Sequence, residues 1–148
     1  MGKIIAVASG KGGTGKTTTV AAMSSCLAVL GHKTLCLDFD VGMNNLDFSL
    51  GMDEFTIANF ADVMEGQASI EEASRESPRI KDLYFLGAPL ERHPPEPDQP
   101  KIDRMFGEIR GAFDYCFIDL PSGIDEYFTA TNLNDICALL CRRRSCPP

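Results

Sequence analysis

The residues whose types and spacing could do chemistry begin near the N-terminus, in Ser9-Gly10-Lys11-Gly12-Gly13-Thr14-Gly15-Lys16-Thr17-Thr18. The run Gly10-x-x-x-x-Gly15-Lys16-Thr17 fits the phosphate-binding P-loop pattern. Backbone N–H groups from Gly12 to Thr18 can face one concavity and hold phosphate oxygens, helped by the positive N-terminus of a helix starting at Lys16. Glycines let the backbone approach a ligand and take positive φ without a Cβ penalty. Lys16 would bring a point charge to the β- and γ-phosphates, and the Thr17 hydroxyl would ligate Mg²⁺. A glycine-rich turn with a solvated lysine is the bland alternative, and it leaves the strand, spacing, Lys-Thr pair and helix unexplained. Nucleotide contacts are expected from Gly10, Lys11, Gly12, Gly13, Thr14, Gly15, Lys16, Thr17 and Thr18.

Acids supply the second set of candidates. The apolar run Thr34-Leu35-Cys36-Leu37 leads into Asp38-Phe39-Asp40. In open α/β sheets ligands sit beyond the carboxyl ends of the strands, which puts Asp38 and Asp40 on the P-loop side. Such carboxylates can bind Mg²⁺ through water or orient an attacking water. A turn with solvated acids is the competing reading, and it is preferred for Asp47. Farther on, Asp114-Tyr115-Cys116-Phe117-Ile118-Asp119 reads as a strand that ends in an acid. It is similar to a Walker B strand, which would deliver Asp119 beside the P-loop to hold Mg²⁺ through water.

Lys11, in Lys-Gly-Gly-Thr-Gly-Lys-Thr-Thr, resembles the marker lysine of the deviant P-loop in the MinD/ParA family of ATPases. Three further landmarks lie in family order: Asp38-x-Asp40, Asn45-Leu46-Asp47 and Asp119-x-Pro121-x-Gly123. The resemblance spans residues 3 to about 140. It implies ATP and Mg²⁺ as ligands, and an ATP-dependent homodimer in which Lys11 reaches the partner's nucleotide. It implies catalytic roles for Lys11 and Lys16, water positioning by Asp40, and a switch-region place at the dimer interface for Asn45. Thr17, Asp38 and Asp119 would form the metal shell, and Ser122 and Gly123 a second switch. Asn44 departs from the division branch of the family, which usually carries arginine there.

The implied function is an ATPase for cell-division site selection that binds a division inhibitor and an ATPase-stimulating partner. A membrane surface would be a partner only in the full-length family, through a C-terminal amphipathic helix. Alternatives are a partition or flagellar-number ATPase of the same family, and a nucleotide-binding remnant without turnover. The P-loop also resembles that of nitrogenase iron protein, but no cysteine follows Asp119 until Cys137, where that electron carrier needs a cluster ligand.

The elements that must position these residues follow from hydrophobic patterning. Ile4 to Ala8 reads as a buried strand. Val20, Met23, Leu27 and Leu30 recur at helical spacing, with Gly31 as the cap. A strand–helix–strand succession implies a parallel crossover. Residues 55–76 suggest two short helices, around Phe60–Met64 and Ile70–Ala73, the second with a Ser69/Glu72 capping box. Leu83–Leu86 is a strand, and the proline-rich stretch Pro94–Pro100 a loop. Ile102, Phe106, Ile109 and Phe113 mark another helix, and Asn134–Leu140 a last strand. The expected fold is α/β: a three-layer P-loop NTPase-like domain over residues 1–140 with a mainly parallel sheet, incomplete at its C-terminus. The basic, Pro-ended tail 141–148 suggests a shifted reading frame or a truncated gene model.

With 148 residues the chain suits one domain. Its net charge is −7, and three of its 14 basic residues lie in the tail, so the body is more acidic still. That argues against strong non-specific DNA binding. No apolar run approaches a membrane span and no signal-peptide pattern opens the chain, so a cytoplasmic location is expected. The six cysteines lack paired C-x-x-C spacing and a nearby histidine, which favours free structural thiols over a metal site.

Overall fold

The computed structural model describes residues 1–9, 12–40, 45–52, 58–89, 98–121 and 136–140, with Asn45 and the last strand described by backbone alone. Elements run in the order β1 (Lys3–Ala8), α1 (Lys16–Val29), β2 (Thr34–Asp38), α2 (Asn45–Leu50), α3 (Phe60–Glu65) and α4 (Ile70–Ala73). They continue with β3 (Arg75–Glu76), β4 (Leu83–Leu86), α5 (Gln99–Ala112), β5 (Tyr115–Asp119) and β6 (Ile136–Leu140). The strands form one sheet in the order β3-β4-β2-β5-β1-β6. Every pairing is parallel except the two-residue β3 against β4.

Three layers follow from strand alternation, because successive side chains point to opposite faces. Leu35, Leu37, Cys116 and Ile118 face one core, closed by Phe60 and Met64 of α3 and by Ile102 and Met105 of α5. Cys36 and Phe117, one residue out of phase, face the other core with Val20 of α1 and Leu46 and Leu50 of α2. The strands are covered on both faces, which explains why they read as continuous apolar runs. The strand order places β5 between β1 and β2, so the first crossover skips one strand, and in such sheets ligands bind beyond the carboxyl ends of the strands.

Several expectations need correction. The buried face of α1 is Lys16, Val20, Ser24 and Ala28, whereas Met23 and Leu30 are exposed. The small Ser24 lets the helix approach the sheet. Its hydroxyl donates to Val20 O at 2.6 Å and accepts from the Cys36 thiol at 2.8 Å, so the buried polar group is satisfied. Of the cysteines, Cys26 is exposed, while Cys36 and Cys116 are buried. Pro100 lies in the first turn of α5, where its missing N–H costs nothing, rather than in the loop before it. The helix α2 and the short strand β3 were not anticipated. The Ser69/Glu72 capping box is present, and a second one joins Asn59 and Asp62 at α3. Residues 141–148 lie outside the described residues. Among the described residues no helix is long and apolar enough to cross a membrane.

Candidate nucleotide site

β1 carries the chain to the carboxyl edge of the sheet, where Ser9 is followed by the loop and then α1. In the described part of that loop Gly13 and Gly15 have φ of 69° and 87°, conformations that penalise any Cβ. Both positions are sterically open, so backbone conformation and not space calls for glycine. Gly15 caps α1 without a side-chain hydrogen bond, and the first turn holds no acid. The first helical bond runs from Thr19 N–H to Gly15 O at 2.9 Å. The amides of Lys16, Thr17 and Thr18 precede it and make an electropositive end suited to an anion.

Four side chains form two hydrogen-bonded pairs at this helix end. Lys16 is only 8% exposed and donates from Nζ to Ser9 Oγ at 3.0 Å. The Thr17 hydroxyl donates to Asp119 Oδ2 at 2.5 Å, joining the start of α1 to the end of β5. Asp119 sits in register with Asp38 across the β2–β5 pair, and both are almost wholly buried. The chain beyond β2 is tied back by Phe39 N–H to Asp119 O at 3.0 Å and by Asp40 N–H to Asp38 Oδ1 at 2.8 Å.

The electrostatics are those of acids short of cations. Burial pushes the Asp38 carboxyl up to about 7, and the nearby Asp119 and Asp40 charges add to the shift against the Asp40 amide. Burial also raises Asp119, opposed by the Thr17 hydroxyl and the Lys16 ammonium. Asp119 Oδ1 and Thr14 Oγ1 are buried and have no hydrogen-bond partner among the described residues. Orphaned buried oxygens are costly, and a ligand at this point would satisfy them. The donors fit Mg²⁺, a hard cation that takes oxygen ligands, keeps several waters and borrows phosphate oxygens. Among the described residues there is no group of three or more His, Cys, Asp or Glu that could hold a metal ion.

The candidates therefore separate. Gly12, Gly13, Thr14, Gly15, Lys16, Thr17 and Thr18 lie on one loop and helix end, and Asp38, Asp40 and Asp119 at the adjacent strand ends. Gly10 and Lys11 lie outside the described residues, as do Ser122 and Gly123. Asn45 opens α2, and its side chain is not described. Sequence reasoning missed Ser9 as the acceptor for Lys16. Its only signal was a polar residue directly after a buried strand.

A family model described as an AAA domain matches residues 2–134. The septum site-determining protein MinD of Helicobacter pylori is 35% identical over 140 residues, which are 95% of this chain and 52% of that protein. The MinD structure from Pyrococcus horikoshii, complexed with Mg-ADP, superposes with a TM-score of 0.78 at 35% identity, covering 95% of this chain and 58% of that one. The MinD of the Aquifex aeolicus MinC:MinD complex gives 0.77 at 33% identity, covering 93% and 55%. The chain spans about half the length of the curated relatives it matches. With that family model over most of its length and MinD proteins at 33–35% identity over 93–95% of it, the chain belongs to the MinD/ParA family of AAA-domain proteins.

Proposed function

We propose that this chain forms the phosphate- and Mg²⁺-binding part of a MinD-type ATPase acting in division-site selection. The observation that carries the reading is the bond from Thr17 to Asp119 beside the orphaned Asp119 Oδ1, with Lys16 buried on the same loop. The amides of Gly12 to Thr18 bind and orient the phosphates, and Lys16 brings its charge to the terminal ones. The Thr17 hydroxyl, Asp119 and Asp38 would hold Mg²⁺, the last two through water. When bound, Mg²⁺ neutralises charge that develops on the transferred phosphoryl group. Asp40, half-buried at the mouth of the site, orients the attacking water. Lys11 supplies a cation across an ATP-dependent dimer, and Asn45 at the start of α2 joins the switch that senses the γ-phosphate.

The partners follow from the same reading: a second copy of the chain, a division inhibitor and an ATPase-stimulating protein; the Aquifex aeolicus relative is seen in a MinC:MinD complex. Calorimetric titration with Mg-ATP tests the reading. Binding by the wild type that Lys16→Ala weakens at least about tenfold supports it, since hydrogen bonds to charged groups are worth that much. Absence of Mg-ATP binding by the wild type refutes it.

A further inference from the structure

We infer that Ser9 is a positioning residue for Lys16, holding the loop ammonium where it meets the terminal phosphates of a bound nucleoside triphosphate. This rests on the nucleotide-binding reading above. The bond between Lys16 Nζ and Ser9 Oγ measures 3.0 Å, and the two residues are 8% and 3% exposed. Ser9 follows β1 directly, and β1 is paired on both sides, with Val7 in register with Asp119 on β5 and with Leu139 on β6. Its hydroxyl is thus anchored at the end of a strand held on both sides, whereas Lys16 rides on a loop–helix junction.

The chemistry of a lysine explains why an anchor matters. An ammonium has three donors, no acceptor and a long flexible stem, so it must be restrained to deliver its charge to one point. The strongest competitor is close by: Asp119 accepts from Thr17, the residue next to Lys16. Direct capture by Asp119 would neutralise the acid needed for the cation. In the structure Asp119 Oδ2 is taken by Thr17, and Oδ1 has no hydrogen-bond partner among the described residues. Ser9 keeps the ammonium on a neutral acceptor instead, which leaves two N–H donors for phosphate oxygens.

A double-mutant cycle on Mg-ATP affinity tests this assignment, using wild type, Ser9→Ala, Lys16→Ala and the double variant. Ser9→Ala is expected to weaken binding about tenfold, and to have no further effect once Lys16→Ala is in place. Ser9→Cys, of similar volume but with a weak acceptor, should fold normally and lose affinity to an intermediate extent. Losses that add in the double variant, or wild-type affinity in both Ser9 variants, overturn the assignment while leaving the nucleotide site standing. A wild type that binds no Mg-ATP removes both.

Discussion

Thr17 Oγ1 and Asp119 Oδ2 lie 2.5 Å apart although 102 residues separate them in sequence. This bond makes the start of α1 and the end of β5 one unit, and it fixes where a cation and a phosphate can meet.

Breaking either side of that contact should uncouple nucleotide binding from Mg²⁺. Asp119→Asn preserves shape and removes charge, and Thr17→Val removes the hydroxyl at similar volume. Each is expected to lower Mg²⁺-dependent nucleotide affinity by about 10–100-fold, the usual cost of losing a group that orients a metal site. Titrations with and without Mg²⁺ check this. The metal-free affinity should change much less than the Mg²⁺-supported one.

Asp38 should make the metal-free protein less stable as pH rises. Its carboxyl ordinarily titrates at 3.8, and in the fold burial pushes it up to about 7. A group that holds its proton more tightly when folded contributes stability that is fully present below 3.8 and lost as pH rises through about 7. The expected loss across that window is on the order of a few kcal/mol. Urea unfolding of the metal-free protein at a series of pH values measures it, and Asp38→Asn should flatten the profile. Binding of Mg-nucleotide should run the other way, strengthening as the carboxylates ionise.

Two glycines predict opposite phenotypes. Gly2 N–H donates to Arg110 O at 3.0 Å, and a Cβ at this position would lie 2.0 Å from Phe113 O. Gly2→Ala must push β1 away from the α5–β5 corner, at a cost of about 1–3 kcal/mol and several degrees in melting temperature. A Cβ on Gly13 would meet nothing within 4 Å, but φ is 69° there. Gly13→Ala should therefore reshape the loop and reduce nucleotide affinity more than it lowers the melting temperature. Thermal unfolding and titration on the same two variants separate the effects.

The sheet was legible because strands covered on both faces carry unbroken apolar runs, and the P-loop because its glycines and Lys16-Thr17 leave few other uses. Helix α1 was found, but its buried face was misjudged. Apolar periodicity favoured Met23 and Leu30, whereas close packing on Cys36 selected the small Ser24. Strand β3 has only two residues and exists through its pairing with β4, so no local pattern announces it. The pairing of Asp38 with Asp119 depends on β5 inserting between β1 and β2, a topological fact beyond the reach of spacing. Ser9 was overlooked for a related reason, since its importance lies in where Lys16 folds back.

The central claim, that these residues hydrolyse a bound nucleotide, is tested most directly by phosphate release from Mg-ATP. Wild type, Lys16→Ala and Asp40→Ala would be measured side by side, with binding followed on the same samples. The account predicts turnover by the wild type that both substitutions abolish, with Asp40→Ala still binding Mg-ATP. Binding without turnover in the wild type, or turnover that survives Asp40→Ala, would contradict it.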